Sequence, residues 1–213
     1  MRLPVMKIVA HSFKPRDLVA GHPALDFINT VTARDAPTPL DWLDSYARLL
    51  EWAALSSVAD ANEIEYLRKM SARSPRRTAA ALTRARAYRE SLHEMCCAIV
   101  TGDKLAEAVV REVEFAWKRA SSRAKLVRID AQFEASLSVE RSGLDFIVDS
   151  LALRAVVLLR RFPQARTRVC LGERCGWLFI DASKGGRRVW CDMATCGNAA
   201  KSHRHQKRLR DSA

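Results

Sequence analysis

The sequence predicts a mainly α-helical protein with a small β-hairpin, an α+β arrangement in which a helical domain over residues 1–163 precedes a cysteine-rich module over residues 164–213. Apolar residues recur at helical spacing through most of the first 163 positions. One stretch near position 130 alternates apolar and polar residues, as strands do. Two equally spaced cysteine pairs lie in the last 50 residues.

Length and composition favour a globular protein. The 213 residues, 48% of them hydrophobic, supply enough apolar surface for one medium-sized domain and a small module. The first ten residues lack the apolar run of a signal peptide, and no window resembles a membrane span. We therefore expect a cytoplasmic protein without a membrane partner. Cysteines stay reduced in that compartment, which favours metal binding over disulfides.

Helical segments dominate the first 120 residues. Residues 21–30 are predicted to form a turn and a short helix that Pro23 begins, and a loop over residues 33–39 follows. The next helix has Asp41 or Thr38 as its cap and one apolar face, formed by Trp42, Tyr46, Leu49, Leu50 and Ala53. A helix over residues 59–70 follows, and then an antiparallel pair over 76–100 and 104–120.

The hydrophobic period then changes to two. Residues 125–130 and 133–139 alternate apolar and polar side chains, which predicts two strands joined by a tight turn at 130–132. Helical spacing returns after Ser142-Gly143 and continues to Arg161, with apolar residues on nearly every side. This last helix should be the most buried one of the domain, whose end lies near Gln164.

Four cysteines form two Cys-x4-Cys pairs, Cys170 with Cys175 and Cys191 with Cys196, separated by fifteen residues. Four thiolates so placed can surround one tetrahedral ion, and Zn2+ is the usual occupant of such a structural site. Because four thiolates leave no open coordination position, we expect one structural zinc ion and no catalytic zinc. Buried thiols, two disulfides and an iron site are the alternatives.

Between the cysteine pairs lie two aromatic and β-branched segments, residues 177–181 and 187–190, around Gly185-Gly186. These glycines can adopt the positive φ angles of a short hairpin loop, so we expect a hairpin here and a helix after Cys196. That order is the one of a treble-clef-like zinc finger. His203 or His205 can replace a thiolate. So small a module needs the metal for most of its folding free energy.

The net charge of +12 is concentrated in this module, because residues 166–213 carry 11 Lys and Arg against 4 Asp and Glu. Cations on the last helix and the hairpin loop should form a surface suited to the DNA phosphate backbone, and a helix fits the major groove. The residues expected to bind nucleic acid are Lys184, Arg187, Arg188, Lys201, Arg204, Lys207 and Arg208. A solvated basic surface is the alternative.

Two motifs resemble a known family. Residues 175–181, Cys-Gly-Trp-Leu-Phe-Ile-Asp, and 190–198, Trp-Cys-Asp-Met-Ala-Thr-Cys-Gly-Asn, strongly resemble the CGNR zinc finger. Residues 21–30, Gly-His-Pro-Ala-Leu-Asp-Phe-Ile-Asn-Thr, are similar to the opening of the ABATE domain that usually precedes it. The resemblance implies a bacterial stress-induced transcription regulator that binds zinc and DNA. The family's name motif ends in Arg, whereas Ala199 stands here, so Lys201 or Arg204 would have to replace any phosphate contact of that Arg.

The opening motif also contains the densest polar group of the helical domain, formed by His22, Asp26, Asn29 and Thr30. Two interpretations are open: the edge of a small-molecule effector pocket, or residues that cap helices and fasten a loop. Cys96 and Cys97 point about 100° apart on one helix and are expected to be core thiols. A sensing or dimerising role for this domain would allow a homodimer.

The leading interpretation is a nucleoid-associated transcription regulator that binds duplex DNA through a structural four-cysteine zinc finger and a basic recognition helix. The alternative is a zinc-stabilised adaptor that binds RNA or protein without reading DNA sequence. An enzyme ranks third, because the sequence shows no nucleophile with a base, no phosphate loop and no carboxylate pair at a suggestive spacing.

Overall fold

The protein is mainly helical, as the sequence predicts. The structure is a computed structural model that describes residues 6–34 and 36–211, without the side chains of Lys207, Leu209 and Asp211. The α-helices of the described residues are α1 (Pro23–Ile28), α2 (Tyr46–Leu55), α3 (Ala61–Arg73), α4 (Pro75–Thr101), α5 (Glu107–Arg123), α6 (Val139–Ser142), α7 (Phe146–Arg160) and α8 (Asn198–Asp211). The strands of the described residues are β1 (Lys7–Ile8), β2 (Val31–Thr32), β3 (Leu40–Asp41), β4 (Lys125–Ile129), β5 (Gln132–Ser136), β6 (Thr167–Val169) and β7 (Leu178–Ile180).

Capping chemistry determines where several helices begin and end. Ser45 accepts a hydrogen bond from the Arg48 N–H and begins α2, four residues later than predicted from Trp42. The Asp60 and Glu63 side chains each accept a hydrogen bond from the other's backbone N–H, a capping box that begins α3. Gly102, with φ of +78°, ends α4. In the part of the chain described, no helix is long and apolar enough to span a membrane.

Helix α7 is deeply packed, as its apolar sequence predicts, but the prediction that it is the most buried helix is wrong, because five of the six residues of α1 are buried. Nine of the fifteen residues of α7 are buried, and this helix packs against α5 and α1. An aromatic cluster from three other helices completes this part of the core. The Phe27 ring centroid lies 5.2 Å from that of Trp52 and 6.5 Å from that of Tyr88.

A buried charge network, formed by Arg34, Asp41, Arg89 and Glu90, lies beside this core. Arg89 is fully buried and donates to the two Asp41 carboxylate oxygens at 2.7 and 2.8 Å. Its Nε donates to Glu90 at 2.8 Å, and Arg34 donates to the other Glu90 oxygen at 2.6 Å. Two cations and two anions therefore neutralise one another away from water. Burial acts to raise the pKa of Asp41, but the hydrogen bonds and charge of Arg89, the Leu43 N–H and the charge of Arg86 together outweigh burial and hold that pKa below its ordinary value.

The predicted hairpin near residue 130 is confirmed. Strands β4 and β5 pair antiparallel with Val127 opposite Glu134, and Asp130 turns the chain with φ of +54°. All ten of their residues are exposed. Strand β3 lies between β1, its parallel neighbour, and β2, its antiparallel one.

The hairpin predicted between the cysteine pairs is wrong. Strand β7 pairs with β6, placing Phe179 opposite Arg168, while residues 187–190 form no strand. The Asp181 carboxylate holds residues 182–188 as a loop, because it accepts hydrogen bonds from the N–H groups of Ser183 and Arg188 at 2.9 and 2.8 Å. Because β6 pairs with β7, the first cysteine pair, Cys170 and Cys175, lies in the turn between these two strands.

Candidate metal centre

The four cysteines converge on one point. Cys170 and Cys175 lie in the β6–β7 turn. Cys191 precedes a π-helical turn, Met193–Gly197, which Asp192 caps and which contains Cys196. Their sulfur atoms all lie within 4.8 Å of one another, with 3.8 Å between Cys175 and Cys191. A zinc ion bonded to four sulfurs at about 2.3 Å separates them by about 3.8 Å. The cluster therefore fits a tetrahedral Zn2+.

Backbone donors surround the first ligand. The Cys170 sulfur accepts hydrogen bonds from the N–H groups of Gly172 and Cys191, both at 3.3 Å. Hydrogen bonds from the Cys175 and Cys191 thiols lower the pKa of Cys170 far below its usual range, and the same bonds raise the pKa of both donors. A divalent cation would stabilise all four thiolates together and remove this competition.

Gly172 allows the two ligand pairs to approach each other. A Cβ atom at this position would lie 2.8 Å from both the Cβ and the sulfur of Cys196. Only glycine leaves room for that approach. Among the described residues, the group able to hold a metal ion consists of the four cysteines, without His203 or His205. His203 lies instead 3.2 Å from the carboxylate of Glu173.

The finger is anchored to a surface formed by residues 20–34, called the finger socket below. The Asn29 amide donates to the Leu178 carbonyl at 2.8 Å and accepts from the Leu178 N–H at 3.0 Å. The Trp177 indole donates to the Val31 carbonyl at 3.2 Å, and the Ile180 N–H donates to the Ala20 carbonyl at 2.9 Å. These bonds cross the predicted domain boundary, so β7 is packed as part of the helical domain.

The socket also contacts the loop that contains Cys175, one of the four clustered cysteines. The Ala33 N–H donates to the Cys175 carbonyl at 3.1 Å, and the Thr32 hydroxyl donates to the Arg174 carbonyl at 3.2 Å. Ala33 is buried and has φ of +53°, a region that costs a residue with a Cβ atom free energy. Gly176, with φ of +71°, faces Arg34 closely, because a Cβ there would lie 3.4 Å from the Arg34 Cβ.

The polar group predicted in the opening motif has structural contacts. Asp26 accepts from the Ala20 N–H at 2.9 Å, and burial raises its pKa to about 6. Thr30 donates to the Phe27 carbonyl at 2.8 Å. His22 begins α1 by accepting from the Ala24 N–H, and burial lowers its pKa. These contacts and those of Asn29 match the capping interpretation. The effector pocket at these four residues stays a prediction.

Two described cavities lie elsewhere. One, of ≈ 340 Å³, is lined by polar residues that include Ser57, Glu63 and Arg154 and by apolar residues that include Leu137 and Phe146. The other, of ≈ 270 Å³, lies in the finger beside Arg187, Val189, Trp190 and Met193. Neither is lined by His22, Asp26, Asn29 or Thr30. Sequence spacing contains no signal for these cavities, because each is assembled from segments far apart in the chain or from an irregular loop.

The cations predicted to bind nucleic acid differ in their exposure and in their contacts within the finger. Lys184, Arg187 and Lys201 are exposed and available to a ligand. Arg188 is engaged within the finger, where its guanidinium donates to the Cys191 carbonyl and lies 4.9 Å from the Phe179 ring centroid. Arg204 is exposed but lies 6.0 Å from the Trp190 ring centroid. Arg208 is exposed on α8, whereas the Lys207 side chain lies outside the described residues.

Arg166 is a further surface cation of the finger, outside the set predicted from the sequence. It is exposed and donates to the Ser183 carbonyl at 3.0 Å, beside Gly186 at the base of the 182–188 loop. Its signal was present in the charge of residues 166–213, but its position next to the loop required the fold. Cys96 is buried, as expected, and burial raises its pKa to about 12, so it stays a thiol.

Comparisons with known families agree with this architecture. A family model described as "CGNR zinc finger" matches residues 166–209. A second, ABATE, described as "Putative stress-induced transcription regulator", matches residues 21–161, well over half of the chain. A comparison with curated proteins finds no match. The chain therefore belongs to the ABATE family and carries a CGNR zinc finger over residues 166–209.

Proposed function

We propose that this protein is a transcription regulator that binds duplex DNA through its finger. The observation that carries the proposal is the concentration of positive charge on a metal-organised module: residues 166–213 carry 11 cations against 4 anions. Lys184, Arg187 and Lys201 are exposed there. The family description as a stress-induced transcription regulator supports the same function.

One structural zinc ion held by Cys170, Cys175, Cys191 and Cys196 is part of this proposal. The sulfur spacing and the room left by Gly172 support it. Zinc binding would contribute folding free energy to the finger, and the four ligands leave no open position for a substrate, so the proposal includes no catalysis. One zinc per chain, lost in Cys175→Ser and retained in Cys97→Ser, is the expected stoichiometry; a folded zinc-free wild type would contradict it.

The proposed location is the cytoplasm, at the nucleoid, where transcription regulators act. The helical domain would then be the sensing or dimerising part, with a homodimer and a small-molecule effector as further elements of the proposal.

Salt dependence tests the DNA proposal directly. With about five phosphates neutralised, the logarithm of the affinity for a mixed-sequence duplex should fall with log salt at a slope of about −4 to −5. The triple variant Lys184→Ala, Arg187→Ala, Lys201→Ala should reduce that slope by about 3. A matched control removes three exposed cations of the helical domain, Lys104, Lys125 and Arg128, and should retain the slope. A wild-type slope near zero would refute DNA binding.

One observation favours the alternative, an RNA-binding adaptor. The ≈ 270 Å³ cavity beside Trp190 is lined by Arg187 and Arg188. An aromatic side chain beside cations is the arrangement that stacks unpaired bases. Fluorescence anisotropy with single-stranded RNA and duplex DNA of equal length separates the two functions. Tighter RNA binding at equal salt, weakened by Trp190→Ala, would support the adaptor.

A further inference from the structure

The metal ligand loop and the helical core are connected by three consecutive residues. Thr32 and Ala33 bond the carbonyl groups of Arg174 and Cys175, and the next residue, Arg34, extends away from the finger into the core. Arg34 donates to the Ile28 carbonyl at 2.8 Å and to Glu90 at 2.6 Å. One short segment thus contacts a metal ligand at one end and the buried charge network at the other.

The conformation of this segment depends on both ends. Ala33 holds a left-handed backbone conformation that is unfavourable for alanine, and its buried N–H has the Cys175 carbonyl as its acceptor. Arg34 packs against Gly176, directly after that cysteine. If the ligand loop rearranges, Ala33 loses its acceptor and Arg34 loses its packing surface.

We propose that residues 32–34 are positioning residues for the metal site, and that the buried charge network behind them sets the affinity of the four cysteines for zinc. Glu90 orients Arg34, and Arg34 fixes the segment whose Ala33 N–H holds the Cys175 carbonyl. The proposal rests on zinc binding by the finger and is independent of DNA.

Linkage makes the effect reciprocal. If zinc binding favours the ordered segment, then order in the buried charge network favours zinc by the same factor. A ligand loop that loses its metal loses the source of its folding free energy, which removes the acceptor from Ala33. The charge network therefore responds to metal occupancy although none of its side chains coordinates the ion.

Zinc affinity measured by competition with a chelator tests the proposal. Glu90→Gln keeps the shape of the side chain and removes the charge that holds Arg34, and it should weaken zinc binding by at least tenfold. Asp149→Asn is the matched control, because Asp149 is also buried and pairs with Arg119 and Arg123 at 2.9 and 2.7 Å, between α5 and α7. It should leave zinc affinity within twofold of wild type.

Equal zinc affinities for wild type and folded Glu90→Gln would overturn the proposal. If Glu90→Gln does not fold, the zinc affinity of Thr32→Val is measured in its place, because this substitution removes the hydroxyl that donates to the Arg174 carbonyl. It should weaken zinc binding several-fold, and unchanged affinity would overturn the proposal. Hydrogen exchange after chelation should rise more at residues 31–41 and 86–93 than at 113–120. No arm contains DNA, so the result is separable from the proposed function.

Discussion

The side-chain amide of Asn29 pairs with both backbone groups of Leu178, 149 positions further along the chain. An asparagine side chain here supplies the donor and the acceptor that a neighbouring strand would otherwise supply to β7. Both partners are buried, so water cannot replace either bond. The most polar stretch of the opening motif is thus the surface that holds the finger in place.

Asn29→Ala should destabilise the protein by about 2–4 kcal/mol, because it removes two hydrogen bonds and leaves two buried backbone groups unsatisfied. Urea unfolding with saturating zinc measures the change. Asn198→Ala is the control, since Asn198 is exposed and its side chain bonds the nearby Ala194 carbonyl at 3.2 Å. Equal stabilities for the two variants would mean that the socket contributes nothing.

Gly172→Ala should abolish or strongly weaken zinc binding, because its methyl group would overlap Cys196. The matched substitution is Gly185→Ala, where the nearest atom is the flexible Arg187 side chain at 3.4 Å and φ is not positive. Competition with a chelator measures the zinc affinity of both variants. Zinc affinity preserved in Gly172→Ala would show that the two ligand pairs do not meet as described.

Asp26 should give stability a specific pH dependence. Its folded pKa of about 6 lies above the ordinary value of 3.8, so the folded state binds more protons between these values and stability falls as pH rises from about 4 to about 6. Asp26→Asn keeps an oxygen acceptor for the Ala20 N–H and cannot ionise. Its stability relative to wild type should therefore rise with pH, by about 1–3 kcal/mol over this window. Urea unfolding of both proteins at pH values of about 4.5 and 7.5, on either side of the folded pKa, measures the difference between their free energies of unfolding. A difference that is the same at both pH values would contradict the prediction.

Arg89→Met should cost about 3–5 kcal/mol, because methionine fills much of the space but leaves Asp41 and Glu90 without their shared cation. Arg84→Met is the comparison, since Arg84 makes a partly exposed ion pair with Asp145 and should cost under about 1 kcal/mol. Thermal unfolding of both variants ranks the two losses. A small effect of Arg89→Met would contradict the buried network.

Local sequence patterns were sufficient for the helices and the cysteine cluster. The spacing of Cys170, Cys175, Cys191 and Cys196 carries its own geometric meaning, and the apolar residues of α7 predict its burial. These signals succeed because they depend on neighbours within a few turns of chain.

The contacts that failed to appear in sequence patterns are long-range or weakly marked. Strand β6 is the tripeptide Thr-Arg-Val, which signals a strand less clearly than Arg187-Arg-Val-Trp190, so the sequence pattern predicts the wrong partner for β7. Arg89 resembles a surface residue of a long helix, and its pairing with Asp41 depends on a residue 48 positions away. Neither the pairing of β6 with β7 nor that of Arg89 with Asp41 has a signal in the sequence immediately around it.

The separation between Asn29 and Leu178 has a consequence for how the chain is made. The socket is synthesised before β7, with Asn29 preceding Leu178 by 149 residues. Until then the Asn29 amide and the Val31 carbonyl lack these partners from the finger, and the nascent helical domain presents an open edge. The surface around Asn29 and Val31 is therefore completed only after the finger has been synthesised.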